Sequence, residues 1–338
     1  GRLLRPAPRG YQVSCLTNVV DQFWGQLRNG LTLGSIYAMI ALGYTLVYGV
    51  LQLINFAHSE VFMVSTVVTL FAFRNWFGVT HPLSGLSLAW VLLVALCAAM
   101  LASALAAIVV ERLAYRPLRK HGAPRLSFLI SAIGASLTIQ YLFVLMDGNH
   151  RLFFLPLPNV LGPTPQSVPE IMSREPVFSL FGAGFSRQRI LVIIVAVVML
   201  VVLDLFVHKT RLGRGIRAVA QDAETAAMMG VNIDRVIVMT FFIGGLMAGA
   251  AGLLYAVNFG IARWNIGFIP GIKAFTAAVL GGIGNIRGAM LGGLLLGMVE
   301  AFGAACTAPH WTNVIAFFVL VGVLMFRPTG LLGEGVAA

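Results

Sequence analysis

The chain has 338 residues, 59% hydrophobic and 10% charged, with a formal net charge of +11 from 23 Lys plus Arg against 12 Asp plus Glu. Soluble domains carry roughly a quarter charged residues, so this balance excludes an ordinary soluble protein and places the chain in a bilayer. The basic excess suits cytoplasmic loops facing anionic lipid; no aromatic-interleaved basic patch accompanies it, and nucleic acid is not an expected partner.

Residues 1–24, opening GRLLRPAPRGYQVSCLTN, have no apolar core of signal-peptide length and are set aside as a basic tail. Residues 25–330 form the membrane domain and 331–338 a C-terminal tail. A membrane helix needs ~20 predominantly apolar residues; the stretches 29–50, 88–110, 190–207, 236–257 and 310–326 qualify with few or no charges. Shorter apolar segments lie at 61–73, 128–146, 268–283 and 288–305. Long apolar runs in place of alternation exclude a barrel. The expected fold class is all-α, a polytopic transmembrane helical bundle of eight or nine membrane segments.

The first two segments are joined through INFAHSE, residues 54–60, which sets Asn55, His58, Ser59 and Glu60 between two apolar stretches. Polar groups at membrane depth are costly unless they face a cavity or each other. On a helix, Asn55 would share a face with Ser59 and sit three residues from His58. Two roles stay open. One is the start of a short helix, capped by Asn55 with Glu60 in its first turn. The other is a stretch that lines the substrate path, or gates it through a contact between His58 and Glu60.

Next comes ERLAYRPLRKHGAPR, which sets Arg112, Arg116, Arg119, Lys120 and Arg125 against Glu111; a later loop opens with Lys209, Arg211, Arg214 and Arg217. The positive-inside rule puts both in the cytoplasm. Between them the loop 147–189, with six prolines and balanced charge, is external. Nine segments would give an outside N-terminus, an inside C-terminus and a cytoplasmic GGIGNIRG turn with Arg287, against the rule only in translocating Arg2, Arg5 and Arg9. Each half then begins with a long span (29–50, 236–257) followed by a short interrupted one (54–73, 268–283). Separated by the single span 190–207, the halves would insert with opposite orientation, an inverted repeat of the kind transporters use.

The loop 209–235 is long for a cytoplasmic connection. In AVAQDAETAAMMGVN, Asp222 is a good N-cap, Glu224 lies in the first turn, and Gly230 stands where a C′ glycine belongs. A short cytosolic helix is predicted over 223–229. Its Ala226, Ala227, Met228 and Met229 are expected to be exposed and to need cover, from a groove on another protein or from the membrane surface or the chain itself.

Glycine numbers 37, and Gly30/Gly34, Gly245/Gly249, Gly284/Gly288/Gly292 and Gly293/Gly297 are spaced by four, which favours close helix packing. Cys15, Cys97 and Cys306 have no short spacing and are expected to be incidental. There is no G-x-x-x-x-G-K-[ST], no H-E-x-x-H and no assembled Ser/His/Asp set, so catalytic residues and metal ligands are not expected. A proton-coupled carrier is the rival from another class; it would need an intramembrane carboxylate, for which Glu60, Asp204 and Glu300 are available, Glu300 being the deepest choice.

The stretch RGIRAVAQDAETAAMMGVNIDRV resembles the coupling segment of the LivH-type permeases of branched-chain amino acid ABC importers. NGLTLGSIYAMIALGYTLVYGVLQLINFAHSEVFM at 29–63, YRPLR at 115–119 and GIKAFTAAVLGGIGNIRGAMLGG at 271–293 are similar to the same family, in order, over roughly 25–330. Where that family usually has Gly between the His and the Glu, this chain has Ser59. The resemblance implies a permease in the cytoplasmic (inner) membrane, working with a second homologous permease subunit, two cytosolic ABC ATPase subunits and an extracytoplasmic substrate-binding protein. ATP and magnesium would sit on the ATPases, with no cofactor on this chain. The ATPase contact is assigned to Arg217, Asp222, Glu224, Ala227, Met229 and Gly230. The pathway or gate is assigned to Asn55, His58, Ser59 and Glu60 with Gly281, Gly282, Gly284 and Asn285. The cargo is expected to be a small hydrophobic amino acid, with urea or a short amide as the alternative.

Overall fold

The first span is a 29-residue helix, α1 (Phe23–Leu51), about 43 Å long at 1.5 Å per residue. In the computed structural model, residues 22–146, 151–152, 155–156, 161–180, 183–307, 311–327 and 329–333 are described. Most of the expected basic tail, with Cys15, and residues 334–338 of the C-terminal tail lie outside them. After α1 come α2 (His58–Phe71), extended by a π-helical turn at Ala72–Trp76, and α3 (Gly85–Val110), extended by another at Glu111–Tyr115. A short α4 (Arg116–Lys120) then leads to α5 (Arg125–Leu145).

The loop between α5 and α6 carries short antiparallel pairs: β1 (Arg151–Leu152) with β2 (Leu155–Pro156), and β4 (Pro176–Leu180) with β5 (Ala183–Ser186). Its β3 (Gln166–Ser167) pairs with β6 (Ile261–Ala262) from the second half. The span α6 (Arg187–Lys209) leads into the loop 209–235, which folds as α7 (Arg211–Gln221) and α8 (Ala223–Met228). The second half is α9 (Ile233–Phe259), α10 (Phe268–Gly281), α11 (Ile286–Cys306) and α12 (Thr312–Phe326). Six helices are long and apolar enough to cross a membrane, and α10 and α12 are shorter apolar helices. With α2, the described residues hold nine apolar segments, at the upper end of the expected count.

The glycine spacing has a direct structural counterpart. A Cβ at Gly34 would lie 2.8 Å from Leu294 Cα, and one at Gly293 would lie 2.4 Å from Ala38 Cα, so α1 and α11 touch backbone to backbone. In the other half a Cβ at Gly245 would lie 2.6 Å from Ala104 Cα and one at Gly249 2.5 Å from Met100 Cα, joining α9 to α3 in the same way. Lipid supplies no hydrophobic drive between helices, so close approach and dispersion hold them. The two contacts are counterparts: each long first helix packs on the third helix of the other half.

The short helices α2 and α10 have 14 residues each, about 21 Å, against a hydrocarbon core of ~30 Å. Their N-terminal ends meet. A Cβ at Gly267 would lie 2.2 Å from Ser59 O, and one at Gly271 would lie 2.3 Å from Ser59 Cβ. His58 sits against the middle of two long helices, since a Cβ at Gly43 would lie 2.3 Å from its Nε2 and 3.0 Å from Gly244 O. Thus α2 and α10 are half-helices whose N-terminal ends meet beside the long helices α1 and α9.

Near its start α1 meets the loop between α5 and α6, where Arg28 Nη1 donates to Gly184 O at 2.5 Å; near its end, Gly49 faces Gly284 in the turn that precedes Arg287. One expectation is corrected. Cys306, at the end of α11, is disulfide-bonded and so is not incidental, whereas Cys97 is free and exposed.

Candidate functional site

The polar stretch is not a continuous helix. Asn55 precedes α2 and its Oδ1 accepts the Ala57 N–H at 3.1 Å, shaping the turn that leads into the helix; α2 begins at His58 with no side-chain cap. Asn55 therefore does not share a helix face with Ser59. It lines a small crevice with Tyr48, Ile54, Ala278 and Ile283 on the cytoplasmic side of the half-helix junction.

His58, Ser59 and Glu60 form the buried first turn of α2. Their side chains diverge. His58 stacks edge-on to Tyr44, with ring centroids 4.7 Å apart. Ser59 Oγ donates to Phe56 O at 2.7 Å and to Glu60 Oε1 at 3.2 Å. Glu60 Oε1 also accepts from Gln140 Nε2 at 2.7 Å and from Ser136 Oγ at 3.4 Å, both on α5. The expected gate contact between His58 and Glu60 does not form: adjacent side chains two apart on a helix diverge by about 200°. Glu60 turns instead to α5.

Beside this turn lies a cavity of about 610 Å³, lined by Ser59 on α2, by Ser136 and Gln140 on α5, by Arg263, Trp264 and Asn265 before α10, and by the first turn of α10. Sequence reasoning missed Ser136 and Gln140, although two polar residues four apart in an apolar span are a visible signal. It also missed Trp264, which lines the cavity and whose ring lies 5.9 Å from that of Tyr141.

Gly281, Gly282, Gly284 and Asn285 do not line this cavity. They form the cytoplasmic turn that ends α10, with Gly282 at φ +106°, a conformation costly for L side chains. Asn285 Oδ1 caps α11 through the Gly288 N–H at 3.0 Å, and its Nδ2 donates to Leu332 O at 2.9 Å. The C-terminal segment 329–333 covers the turn: the N–H groups of Leu331 and Leu332 donate to Leu280 O and Gly281 O at 2.8 and 3.0 Å. The structure thus separates the two sets of expected gate residues, apart from the crevice that Asn55 shares with Ile283.

In the loop 209–235 Asp222 caps α8, accepting the N–H groups of Glu224 and Thr225 at 3.0 and 3.2 Å. The Thr225 hydroxyl also donates to Asp222 Oδ2, and this bond, with the two N–H groups, holds the carboxyl below its usual range. Gly230 ends the turn at φ +84°. Arg217, Glu224, Ala227 and Met229 are exposed, whereas Ala226 is buried, correcting its expected exposure. Met228 and Met229 are 80% and 81% exposed. Preceding it, α7 is an unforeseen amphipathic helix with Ile216 and Val219 buried and Arg211, Arg214 and Arg217 outward.

Behind α8 the YRPLR segment is tied to the foot of α9. Arg119 Nη2 bridges Glu111 Oε1 at 3.2 Å and Asp234 Oδ1 at 2.7 Å, and Arg116 approaches Asp234 at 3.7 Å. Arg287 grips Asp204 with two bonds of 3.1 Å, joining α6 to the start of α11.

The family described as branched-chain amino acid transport system / permease component matches residues 26–324. The chain belongs to this permease family. The high-affinity branched-chain amino acid transport system permease protein BraD of Pseudomonas aeruginosa is 42% identical over 313 residues, 91% of this chain and 95% of that protein. LivH of Escherichia coli, of the same description, is 39% identical over 317 residues, 92% of this chain and 96% of its own. A probable branched-chain amino acid transport permease protein LivH of Methanocaldococcus jannaschii is 25% identical over 91% of both chains. No solved structure matches the chain.

This permease is a multi-pass membrane protein, and one of its buried carboxylates is held in an ion pair. Glu300, the carboxylate a proton-coupled carrier would have used, is held by Lys273 Nζ at 2.6 Å and by the Tyr37 hydroxyl at 3.1 Å. Among the described residues no group of three or more His, Cys, Asp or Glu could hold a metal.

Proposed function

We propose that the permease is the membrane-spanning subunit of an ATP-driven importer in the cytoplasmic membrane, passing branched-chain or other small hydrophobic amino acids inward by alternating access. The observation that carries this is the capped cytosolic helix α8, which ends in two exposed methionines. Adaptable thioethers on a rigid short helix suit a groove on a partner protein. The chain has no P-loop, so ATP and magnesium belong on separate subunits.

Two cytosolic ATPases, a second permease and an external binding protein complete the assembly. Closure of the ATPases would push α8, with Arg217, Asp222, Glu224, Ala227, Met229 and Gly230 at or beside the contact. That push passes along the chain to the foot of α9, which Arg119 ties to the end of α3 through Asp234 and Glu111; α9 packs along α2 and α3, so a rigid-body shift is passed to the half-helix junction. Glycine-packed backbones favour sliding of whole helices over side-chain rearrangement.

The test is uptake of labelled leucine and labelled urea into proteoliposomes holding the full assembly, with and without internal ATP. ATP-dependent leucine uptake is expected. Urea uptake alone would replace the cargo, and uptake without ATP would overturn the importer reading.

A further inference from the structure

We propose that the 610 Å³ cavity is the chamber that holds a single aliphatic amino acid during transport, and that α5 is its movable wall, latched to the bundle by Glu60. The proposal rests on the importer reading above and adds the chamber, the orientation of the cargo and the latch.

The size lies within the ~300–1,000 Å³ of small-molecule sites, and the lining joins aliphatic side chains, Ile133, Leu137, Ile269 and Ile272, with the polar groups of Ser59, Ser136, Gln140, Asn265 and Arg263. A lipid chain needs no such polar groups; a zwitterion with an aliphatic side chain needs both. Ser59 is the second residue of α2, and Phe268 and Ile269 open α10, so the first turns of both half-helices border the cavity. Their positive dipole ends and the exposed Arg263 place the cargo's carboxylate there, with its side chain toward α5.

The wall is lightly held. Of its 21 residues, Phe128, Ala132, Ser136 and Gln140 are the buried ones. Its ends are pinned by rings, Phe128 on Tyr115 at 6.0 Å and Tyr141 on Trp264 at 5.9 Å. At mid-height the polar tie is Glu60 Oε1, accepting from Gln140 and Ser136, two α5 residues that line the cavity. Glu60 is fully buried, and its Oε2 has no partner among the described residues. All three side-chain donors converge on one oxygen, so moving α5 outward breaks two of those bonds together and opens the chamber. Glu60 is thus a positioning residue that acts through α5.

The test uses the complete transporter in proteoliposomes on a Cys97→Ser background, with single cysteines at Leu137 and Ile269 in the cavity and at Leu105, exposed on α3, as the outside control. Saturating leucine is expected to slow modification by a small neutral thiol reagent roughly tenfold at 137 and 269 and not at 105. Equal rates with and without leucine, in variants that still take up leucine, would overturn the chamber and leave the importer reading standing. Absence of ATP-driven leucine uptake in the Cys97→Ser parent would overturn the importer reading on which the chamber depends. For the latch, Glu60→Leu and Gln140→Leu are each expected to speed labelling of Leu137→Cys several-fold and to raise ATP hydrolysis without cargo, whereas Glu60→Gln, which keeps the acceptor oxygen, restores the parent rate. Parent labelling rates in both leucine variants would overturn the latch.

Discussion

Lys273 Nζ lies 2.6 Å from Glu300 Oε1, with both side chains buried, and the Tyr37 hydroxyl donates to the other carboxylate oxygen at 3.1 Å. The ammonium also sits 5.8 Å above the Tyr37 ring. One ion pair thus joins α10, α11 and α1. Removing one partner strands a buried charge, a loss of about 3–5 kcal/mol where it has been measured. Lys273→Met is expected to lower the melting temperature in detergent sharply, and Lys273→Met with Glu300→Met to recover most of the loss. Equal melting of the single and double variants would contradict the pairing.

The half-helix junction makes a sharper prediction, because Gly267 and Gly271 meet different parts of Ser59. A Cβ at 271 strikes the Ser59 side chain, whereas one at 267 strikes the Ser59 carbonyl. Gly271→Ala is therefore expected to destabilise by about 1–3 kcal/mol, the range of overpacking, and adding Ser59→Gly should relieve much of it. Gly267→Ala should not be relieved by Ser59→Gly. Thermal unfolding of the four variants decides.

Arg119 couples the end of α3 to the foot of α9 through Glu111, which is fully buried, and Asp234. Arg119→Ala leaves Glu111 without that partner, and the unsatisfied group should cost about 1–3 kcal/mol. Glu111→Gln in the same chain should restore stability without restoring the bridge to Asp234. Uptake per ATP hydrolysed should then stay low. Full transport efficiency in the double variant would remove Arg119 from the coupling path.

Asp222 supplies a pH test outside the membrane. Its carboxyl is held below the ordinary 3.8 by the Thr225 hydroxyl and two N–H groups. A depressed folded value means the cap stabilises α8 fully above the unfolded value and is lost as pH falls through the folded one. Hydrogen exchange at Ala226–Gly230, corrected for intrinsic rate, should thus be level from about pH 5 to 8 and quicken only below the ordinary aspartate range. Asp222→Ala should show the quick exchange at every pH and reduced ATP-driven uptake with the membrane spans intact.

The cap at Asp222, the terminal Gly230 and the nine apolar segments could be read directly, because capping, backbone handedness and span length depend on residues within a turn or two of each other. The same locality made the paired short segments visible as the interrupted parts of two halves. It misled at INFAHSE, where spacing put Asn55 on a helix face that the chain does not form until His58.

The partners across the bundle were set elsewhere. Glu60 finds Gln140 and Ser136 far along the chain, Glu300 finds Lys273, and Arg119 finds Asp234, each because a buried charge in an apolar medium must be met by whatever donor the packing brings near. The GGIGN turn shows the same limit from the other side: its glycines mark a special backbone, and only the docking of residues 329–333 showed that the backbone serves the chain's own end. Sequence by itself determined which segments are apolar enough to enter a membrane and where the short helix α8 starts and stops, since those follow from local hydropathy and hydrogen bonding. Only the tertiary structure decided which polar groups share the cavity, since that depends on how glycine-packed helices from opposite halves come within contact distance.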